Sequence, residues 1–327
     1  MYHLTRLHFV LILVLTLHIS CTNRTEKEAS IPYGPFLGMQ ATQTPQLLAP
    51  DLIASPMVEF NGTFTPNGKT FFYTSDIPNH GIIAFTEMNE DGTWTAPAVA
   101  PFSGSHSEYD PIFSPDGRRL YFSSRRPTEV YENKTKSNIW WVEKDGDSWS
   151  DPTLILLADQ DVYYSSLTLS GAIYFNIWSN GKLFKASPEG NSFQIDTLSD
   201  ILHTQGNIGD PFVSPDEDYI IFRGYGEDSF GQGDLYISFN INGEWTARQN
   251  LGEPINSKDL EICPYVTPDR RFFIFASSRL QSPYSVKPSQ AFSELQDKFR
   301  TSDNGELNIY YISADFIEKL RDNIVGQ

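Results

Sequence analysis

The fold of this chain is decided by the stretch YDPIFSPDGRRLYFSSR, residues 109–125. Short apolar runs lie on both sides of the Asp116-Gly117 pair, which predicts two antiparallel strands joined by a tight turn. Copies of this stretch recur before and after it, beginning at Phe60, Tyr164, Asp210 and Cys263. The chain therefore contains five copies of one two-stranded unit, and the copy at Tyr164 has a shortened turn.

Two further strands follow each pair. The third is rich in aromatic residues, as in NIWWV at 138–142, and the fourth opens on a Trp-x-x-Pro pattern, as in WSDP at 149–152. Prolines in the turns, at positions 66, 115, 215 and 268, mark a repeat of roughly 50 residues, with one interval spanning two copies. Four strands per repeat predict an all-β fold, a β-propeller of four-stranded blades whose ring closure shields the strand edges.

The last repeat lacks a fourth strand, because residues 315–327 have the pattern of a helical tail. Upstream of the first repeat, TPQLLAP at 44–50 resembles the fourth strands of other repeats. We therefore predict that this N-terminal strand joins the last blade and closes the ring, so that the propeller spans residues 44–314. The alternative is an extended linker. A long insertion, residues 280–305, interrupts the last blade and contains a predicted helix over 291–299.

The N-terminus has the pattern of an export signal over residues 1–20. Arg6 precedes an apolar run at 9–17, which is too short to span a bilayer as a helix. The small residue Ser20 and Cys21 then resemble a lipoprotein processing box. We predict a lipid anchor on Cys21 and a flexible tether over 21–43, with ordinary secretion as the alternative. The other cysteine, Cys263, is expected to be buried.

The net negative charge of the chain limits the classes of partner that it is expected to bind. A formal net charge of −17 in 327 residues argues against nucleic acid and anionic lipid surfaces, since both select clustered Lys and Arg. Contact with a membrane is therefore expected only through the lipid anchor. No cofactor and no metal site is predicted, because His80 and His106 fall on nearby blades whereas His203 falls across the ring.

Three segments carry a resemblance to a known family: FSPDG at 113–117, LYFSSR at 120–125 and LGEPINS at 251–257. They resemble the WD-like propeller repeats of the TolB-like family, which also occur in exported lipoproteins of Bacteroidetes-type bacteria. The resemblance covers residues 44–312 and implies a propeller, often one of six blades, so that six is the alternative to the five counted here. It says little about function, because the same blades occur in envelope partner proteins and in protease gating domains.

Charged residues cluster on one face of the predicted ring, where the first strand of each blade starts and the second strand ends. Eight of them are the candidate ligand-binding residues: Glu59, Glu108, Asp110, Arg125, Asp210, Arg223, Glu261 and Arg279. In one interpretation, each acid pairs with an arginine of a neighbouring blade and locks the ring. In the other, carboxylates and guanidiniums converge at the channel mouth and bind a polar sugar, a peptide end or a cation.

We predict a binding or scaffold module of the cell envelope, an outer-membrane lipoprotein facing the periplasm or the outside. Its partner would be an envelope protein, a peptide or a glycan. The alternative is a carbohydrate-active hydrolase that uses Glu59, Glu108 and Glu261 as channel-mouth carboxylates. The repetition of these glutamates at one position of the repeat favours a structural role over an asymmetric active site, and no catalytic residue is predicted. The sequence also has no Gly-x-Ser-x-Gly nucleophile motif and no phosphate-binding loop.

Overall fold

The computed structural model describes residues 31–78, 80–129, 136–146, 148–156, 160–190, 192–203, 206–282 and 285–325. The predicted signal peptide over 1–20, Cys21 and the first part of the tether lie outside the described residues. Within them, five antiparallel sheets form the five blades of a propeller, as the repeat count predicts, and the six-bladed alternative is wrong.

The chain first forms a short strand, β1 (Gln46–Leu47), and then enters the first blade. Blade 1 is built in sequence order from β2 (Val58–Phe64), β3 (Thr70–Ile77), β4 (His80–Glu87) and β5 (Ala98–Val99). Blade 2 contains β6 (Glu108–Phe113), β7 (Arg119–Ser124), β8 (Asn138–Asp145), β9 (Ser148–Trp149) and β10 (Thr153–Leu156). In both blades the first strand is innermost and the last strand is outermost.

The remaining blades follow the same plan. Blade 3 contains β11 (Val162–Leu167), β12 (Ile173–Ile177), β13 (Lys182–Glu189) and β14 (Ser192–Thr197). Blade 4 contains β15 (Gly209–Val213), β16 (Tyr219–Gly224), β17 (Asp234–Ile241), β18 (Glu244–Trp245) and β19 (Gln249–Asn250). Blade 5 contributes β20 (Glu261–Val266), β21 (Phe272–Ser277) and β22 (Asn308–Ser313).

The N-terminal strand closes the ring, as predicted. β1 pairs antiparallel with β22 and supplies the outer strand of blade 5. The pairing is extended by the Leu48 amide, which donates to the Ile309 carbonyl at 2.8 Å. Leu48 itself is buried in the largest apolar cluster, together with Phe71, Phe175 and Phe273. The first and last segments of the propeller therefore share one sheet and one core.

The turns between the inner strands show why the repeat has its sequence. In blade 2, the Asp116 carboxylate accepts hydrogen bonds from the Ser114 hydroxyl at 2.6 Å and from the Arg118 amide at 3.1 Å. Gly117 has a φ of +70°, and a Cβ there would lie 2.5 Å from the Pro66 ring of blade 1. Glycine is required at this position for conformation and for space.

Two α-helices and two short 3-10 helices, Phe36–Gly38 and Asp200–Leu202, accompany the blades in the described part of the chain. The helix predicted within the insertion of blade 5 is present as α1 (Phe292–Phe299), and it has no buried residue. α2 (Phe316–Val325) follows β22, and its Phe316 ring packs edge-on against Phe273 at 5.4 Å. Neither helix, nor any other in the described part of the chain, is both long and apolar enough to cross a membrane.

Candidate functional site

The inner strands meet around the channel through one irregular position in each blade. A β-bulge interrupts the pairing of the first and second strands at the same place in every blade. The residue in the bulge has a positive φ, between 46° and 59°, and is in turn Asn61, Asp110, Tyr164, Asp210 and Cys263. Asn and Asp tolerate this conformation better than most side chains, whereas Tyr and Cys rarely adopt it. The bulges aim five side chains of four chemical types into one region of the channel.

A cavity of about 460 Å³ opens above this ring, on the face predicted to carry the charged residues. Four of the candidate residues line it: Asp110, Arg125, Asp210 and Arg223. Buried Asp110 and Cys263 lie at its base, and all five blades contribute to its wall. Its volume falls within the range of small-ligand pockets. The structure therefore brings half of the candidate residues together.

Aromatic residues that we did not predict form one wall of the cavity. The rings of Phe60, Tyr109, Tyr163 and Trp178 follow one another at centroid distances of 6.4, 6.3 and 6.4 Å. Tyr109 fits against Gly81, where a Cβ would lie 2.1 Å from its ring. The Trp178 side chain is 63% exposed. This aromatic arc, as we call the four rings, runs across blades 1 to 3.

Three residues of the aromatic arc occupy equivalent positions in the sequence repeat. Phe60, Tyr109 and Tyr163 each directly precede the bulge residue of their blade, and Ile262 holds that place in blade 5. A column of large apolar residues, interrupted by Gly209 in blade 4, therefore marked the cavity wall. Trp178 directly follows the second strand of blade 3, at the repeat position that Arg125 and Tyr225 hold in blades 2 and 4, and all three side chains line the cavity.

Two guanidinium groups in the cavity already have partners. Arg223 Nε lies 3.0 Å from Asp210 Oδ2, and both side chains are largely buried. Arg125 donates to the Tyr163 hydroxyl at 2.7 Å and thereby links blade 2 to blade 3. The remaining acid of the wall, Asp161, accepts a hydrogen bond from the Ser137 amide at 2.9 Å.

Asp110 is the buried carboxyl of the cavity, with 5% of its surface exposed. It accepts hydrogen bonds from Asn61 Nδ2 at 3.1 Å, the Tyr164 amide at 3.1 Å and the Ser123 hydroxyl at 3.3 Å. Among the ion pairs of the described residues, none includes Asp110. Burial, with a smaller effect of the nearby Asp210 charge, raises the Asp110 pKa to about 7 against these hydrogen bonds.

The three glutamates of the repeat lie elsewhere. Glu59, Glu108 and Glu261 are buried beside the loop that leads into their own blade, and they do not line the cavity. Glu108 accepts hydrogen bonds from the Ser103 hydroxyl and the Gly104 amide, both at 3.0 Å. Glu261 is bound in the same way by the Ser257 hydroxyl and amide, and Glu59 by those of Ser55. Each glutamate therefore holds a connecting loop against its blade.

The expected ion pairs between neighbouring blades are wrong for these acids. Glu108 pairs with Arg126 at 3.0 Å and Glu261 with Arg279 at 3.0 Å, in each case within one blade. Asp210 and Arg223 also belong to a single blade. The antiparallel hairpin is the reason, because it brings the residue after the second strand beside the start of the first.

Among the described residues, Glu59 has no such cation beside it. Ile77 occupies the position that Arg126 and Arg279 hold in their blades, two residues beyond the serine that pairs with the glutamate. Burial raises the pKa of Glu59 to about 7, although hydrogen bonds from Ser55 oppose the shift. The same residue type at one repeat position thus has two different electrostatic environments.

The histidines do not converge. His80 Nε2 lies 3.1 Å from the Gly104 carbonyl oxygen, and His203 Nε2 accepts a hydrogen bond from the Leu183 amide at 3.1 Å. Over the described residues, no group of three or more His, Cys, Asp or Glu side chains is arranged to hold a metal ion.

The opposite mouth of the channel has a different chemistry. A cavity of about 250 Å³ there is lined by the prolines of the inner turns, Pro66, Pro115, Pro215 and Pro268, and by apolar side chains. Arg270 is the cation on its wall. The convergent polar groups lie at the other mouth, which is therefore the candidate site.

Comparison with known proteins gives structural neighbours. No family model and no curated protein matches the sequence. A protein assigned as TolB from Agrobacterium tumefaciens is 16% identical over 72% of this chain and 73% of its own, with a TM-score of 0.48. TolB from Acinetobacter baumannii is 13% identical over 79% of this chain and 57% of its own, with a TM-score of 0.43.

A calcium-binding protein, regucalcin from Agrobacterium tumefaciens, is also similar. It is 11% identical over 80% of this chain and 94% of its own length, with a TM-score of 0.44. At these identities the likeness concerns the fold alone.

Proposed function

We propose that the chain is a binding module of the cell envelope, and that its ligand enters the cavity at the channel mouth. The ligand would belong to an envelope protein, a peptide or a glycan. The observation that carries this proposal is the cavity itself, in which Asp110, Arg125, Asp210 and Arg223 converge beside the aromatic arc. Apolar walls with a few fixed polar groups are the usual composition of a ligand pocket.

The geometry favours binding over hydrolysis. A glycosidase needs two carboxyl groups facing the same bound sugar. The glutamates considered for that role instead accept hydrogen bonds from their own connecting loops. Of the three carboxyl groups that line the cavity, Asp210 is paired with Arg223, Asp161 accepts a hydrogen bond from the Ser137 amide, and Asp110 accepts three hydrogen bonds from its neighbours. The arrangement supports recognition of a ligand by charge and by aromatic stacking.

The proposed location is the outer membrane, with a lipid on Cys21 and a tether leading to the propeller. The signal-like residues 1–20 and the processing box support this proposal. We expect that metabolic labelling with a palmitate analogue marks the wild-type chain and not Cys21→Ser, which should leave the membrane fraction. An unlabelled wild-type chain would contradict the anchor.

The cavity is tested by screening the full-length chain, extracted in detergent, against peptide and glycan arrays. Trp178→Ala removes an exposed ring of the aromatic arc without disturbing the core. We expect it to weaken binding of any array ligand by about fivefold or more, because stacking on an exposed aromatic ring contributes on the order of 1 kcal/mol or more.

Phe292→Ala is the matched control. Phe292 is an aromatic residue with 71% exposure on α1, outside the cavity, and its removal should leave binding unchanged. If Trp178→Ala and Arg125→Ala both kept every ligand, the site would have to lie elsewhere on the blades. A glycan released from the array in cleaved form would establish the hydrolase alternative.

A further inference from the structure

The charges of the cavity do not balance. Three carboxyl groups line it, those of Asp110, Asp161 and Asp210, against the guanidiniums of Arg125 and Arg223. Arg223 is neutralised by Asp210 at 3.0 Å, and Arg125 is held by Tyr163 on the rim. Asp110 remains at the base without a cation among the described residues. When Asp110 is ionised, the cavity therefore has one negative charge that a ligand can neutralise.

The walls suit an organic cation better than a bare ion. The faces of aromatic rings attract ammonium groups, most strongly where water is excluded. The aromatic arc forms one side of the cavity. Leu260 and Ile262 add a further apolar surface to the cavity wall. An aliphatic stem lies well against such walls while its charged end reaches a polar partner.

We propose that the part of the ligand that enters this cavity is a lysine side chain of a peptide, with its ammonium group directed to Asp110. This inference rests on the proposed function and narrows it to one class of ligand. The ammonium would lie between the aromatic arc and the Asp110 carboxylate, and the methylene stem would contact Ile262 and Leu260. A protonated amine on a sugar shares the charge and lacks the stem, so the two can be separated by experiment.

The pH dependence of binding follows from the groups that act on Asp110. Four of these are titratable: Tyr163, Tyr164, Asp210 and Cys263. Burial raises the pKa values of both tyrosines and of the thiol, so that these three stay neutral near pH 7. Asp210 is paired with Arg223. Asp110, with its pKa of about 7, is therefore the group whose charge changes in this range.

The probe for this proposal is Nα-acetyl-lysine methylamide, titrated into the full-length chain and followed by calorimetry or NMR. Its control is Nα-acetyl-norleucine methylamide, which keeps the stem and lacks the amine. We expect the lysine probe to bind about tenfold more tightly or better. Its affinity should rise about tenfold from pH 6 to pH 8, because only ionised Asp110 attracts the ammonium.

Two variants separate the contributions. Asp110→Asn should abolish both the preference for lysine and its pH dependence, with circular dichroism confirming the fold. Trp178→Leu keeps an apolar surface at an exposed position, so folding is not at risk, and should reduce the preference by removing the aromatic face. Equal binding of the lysine and norleucine probes, or a preference that survives in Asp110→Asn, would overturn the inference.

The outcome also distinguishes this inference from the proposed function. If both probes bound equally and Trp178→Ala removed both, the cavity would still be a binding site, without selectivity for a cation. If glucosamine bound as tightly as the lysine probe, recognition of the amine would stand and the assignment to a lysine side chain would fall.

Discussion

Leu48→Asp is expected to destabilise the propeller by about 4 kcal/mol or more, which is a large part of the stability of an ordinary domain. Leu48 is 1% exposed and packs in the largest apolar cluster, directly after the strand that closes the ring. A carboxylate there would have to enter the core or pull the N-terminal strand away from β22. The first alternative buries an unpaired charge, and the second uncovers the edge of blade 5, which favours aggregation.

Thermal and urea unfolding of the variant measure this effect. Ile31→Asp is the control, since it makes the same kind of change in the N-terminal segment at a residue with 65% exposure. The control should change stability by less than about 0.5 kcal/mol. A Leu48→Asp protein that unfolds at the same urea concentration as the wild type would show that the ring does not depend on this strand.

The second large effect concerns the repeated glutamates Glu108 and Glu59. Substitution by glutamine should lower the free energy of unfolding at Glu108 and, at higher pH, raise it at Glu59. Glu108→Gln leaves the Arg126 guanidinium without its carboxylate at a site where Glu108 is 0% exposed. Removing one partner of a buried ion pair typically costs about 3 kcal/mol. We expect this loss at both acidic and alkaline pH, because an arginine stays charged throughout.

Glu59→Gln, by contrast, should lower the free energy of unfolding only slightly at acidic pH and should raise it at higher pH. The folded chain raises the pKa of Glu59 to about 7, whereas the unfolded chain releases this proton near the ordinary glutamate pKa of 4.5. The stabilisation from this proton is complete below the unfolded pKa and is lost as the pH rises through the folded one. Glutamine mimics the neutral form of Glu59, so the variant does not lose stability as the pH rises. We expect this difference to be on the order of 1–2 kcal/mol after allowance for solvent screening.

Urea unfolding at about pH 5 and pH 8 compares the two variants, since these values lie on either side of the Glu59 pKa. The difference in unfolding free energy between Glu59→Gln and wild type should shift in favour of the variant at pH 8. Equal losses in Glu59→Gln and Glu108→Gln at both pH values would refute the two environments assigned here.

The architecture could be predicted because it depends on local pattern. Short apolar runs and turn chemistry around Asp116 and Gly117 identify the inner hairpin of blade 2, and repetition extends it around the ring. The closing strand could be predicted because the last repeat has three strands where the other repeats have four. These inferences require only that each strand pairs with its neighbour along the chain.

The candidate site was predictable only in part. Asp110 and Asp210 were found because charge at the start of an inner strand points to the channel mouth. Glu59 and Glu108 also lie near the start of an inner strand. They come two residues before the bulge residue, however, and face the connecting loop. A one-residue irregularity reverses the side to which a strand directs its side chains, and the alternation of a sequence does not show where it occurs. The same bulge places Tyr109 and Tyr163 on the cavity wall.

The most direct test of the central claim is a crystal structure of the chain soaked with the tightest ligand from the arrays or with Nα-acetyl-lysine methylamide. We predict density within the cavity of about 460 Å³, in contact with Trp178 and within hydrogen-bonding distance of Asp110. Density at the proline-lined mouth, at α1 or on the outer strands, with this cavity empty, would contradict the account.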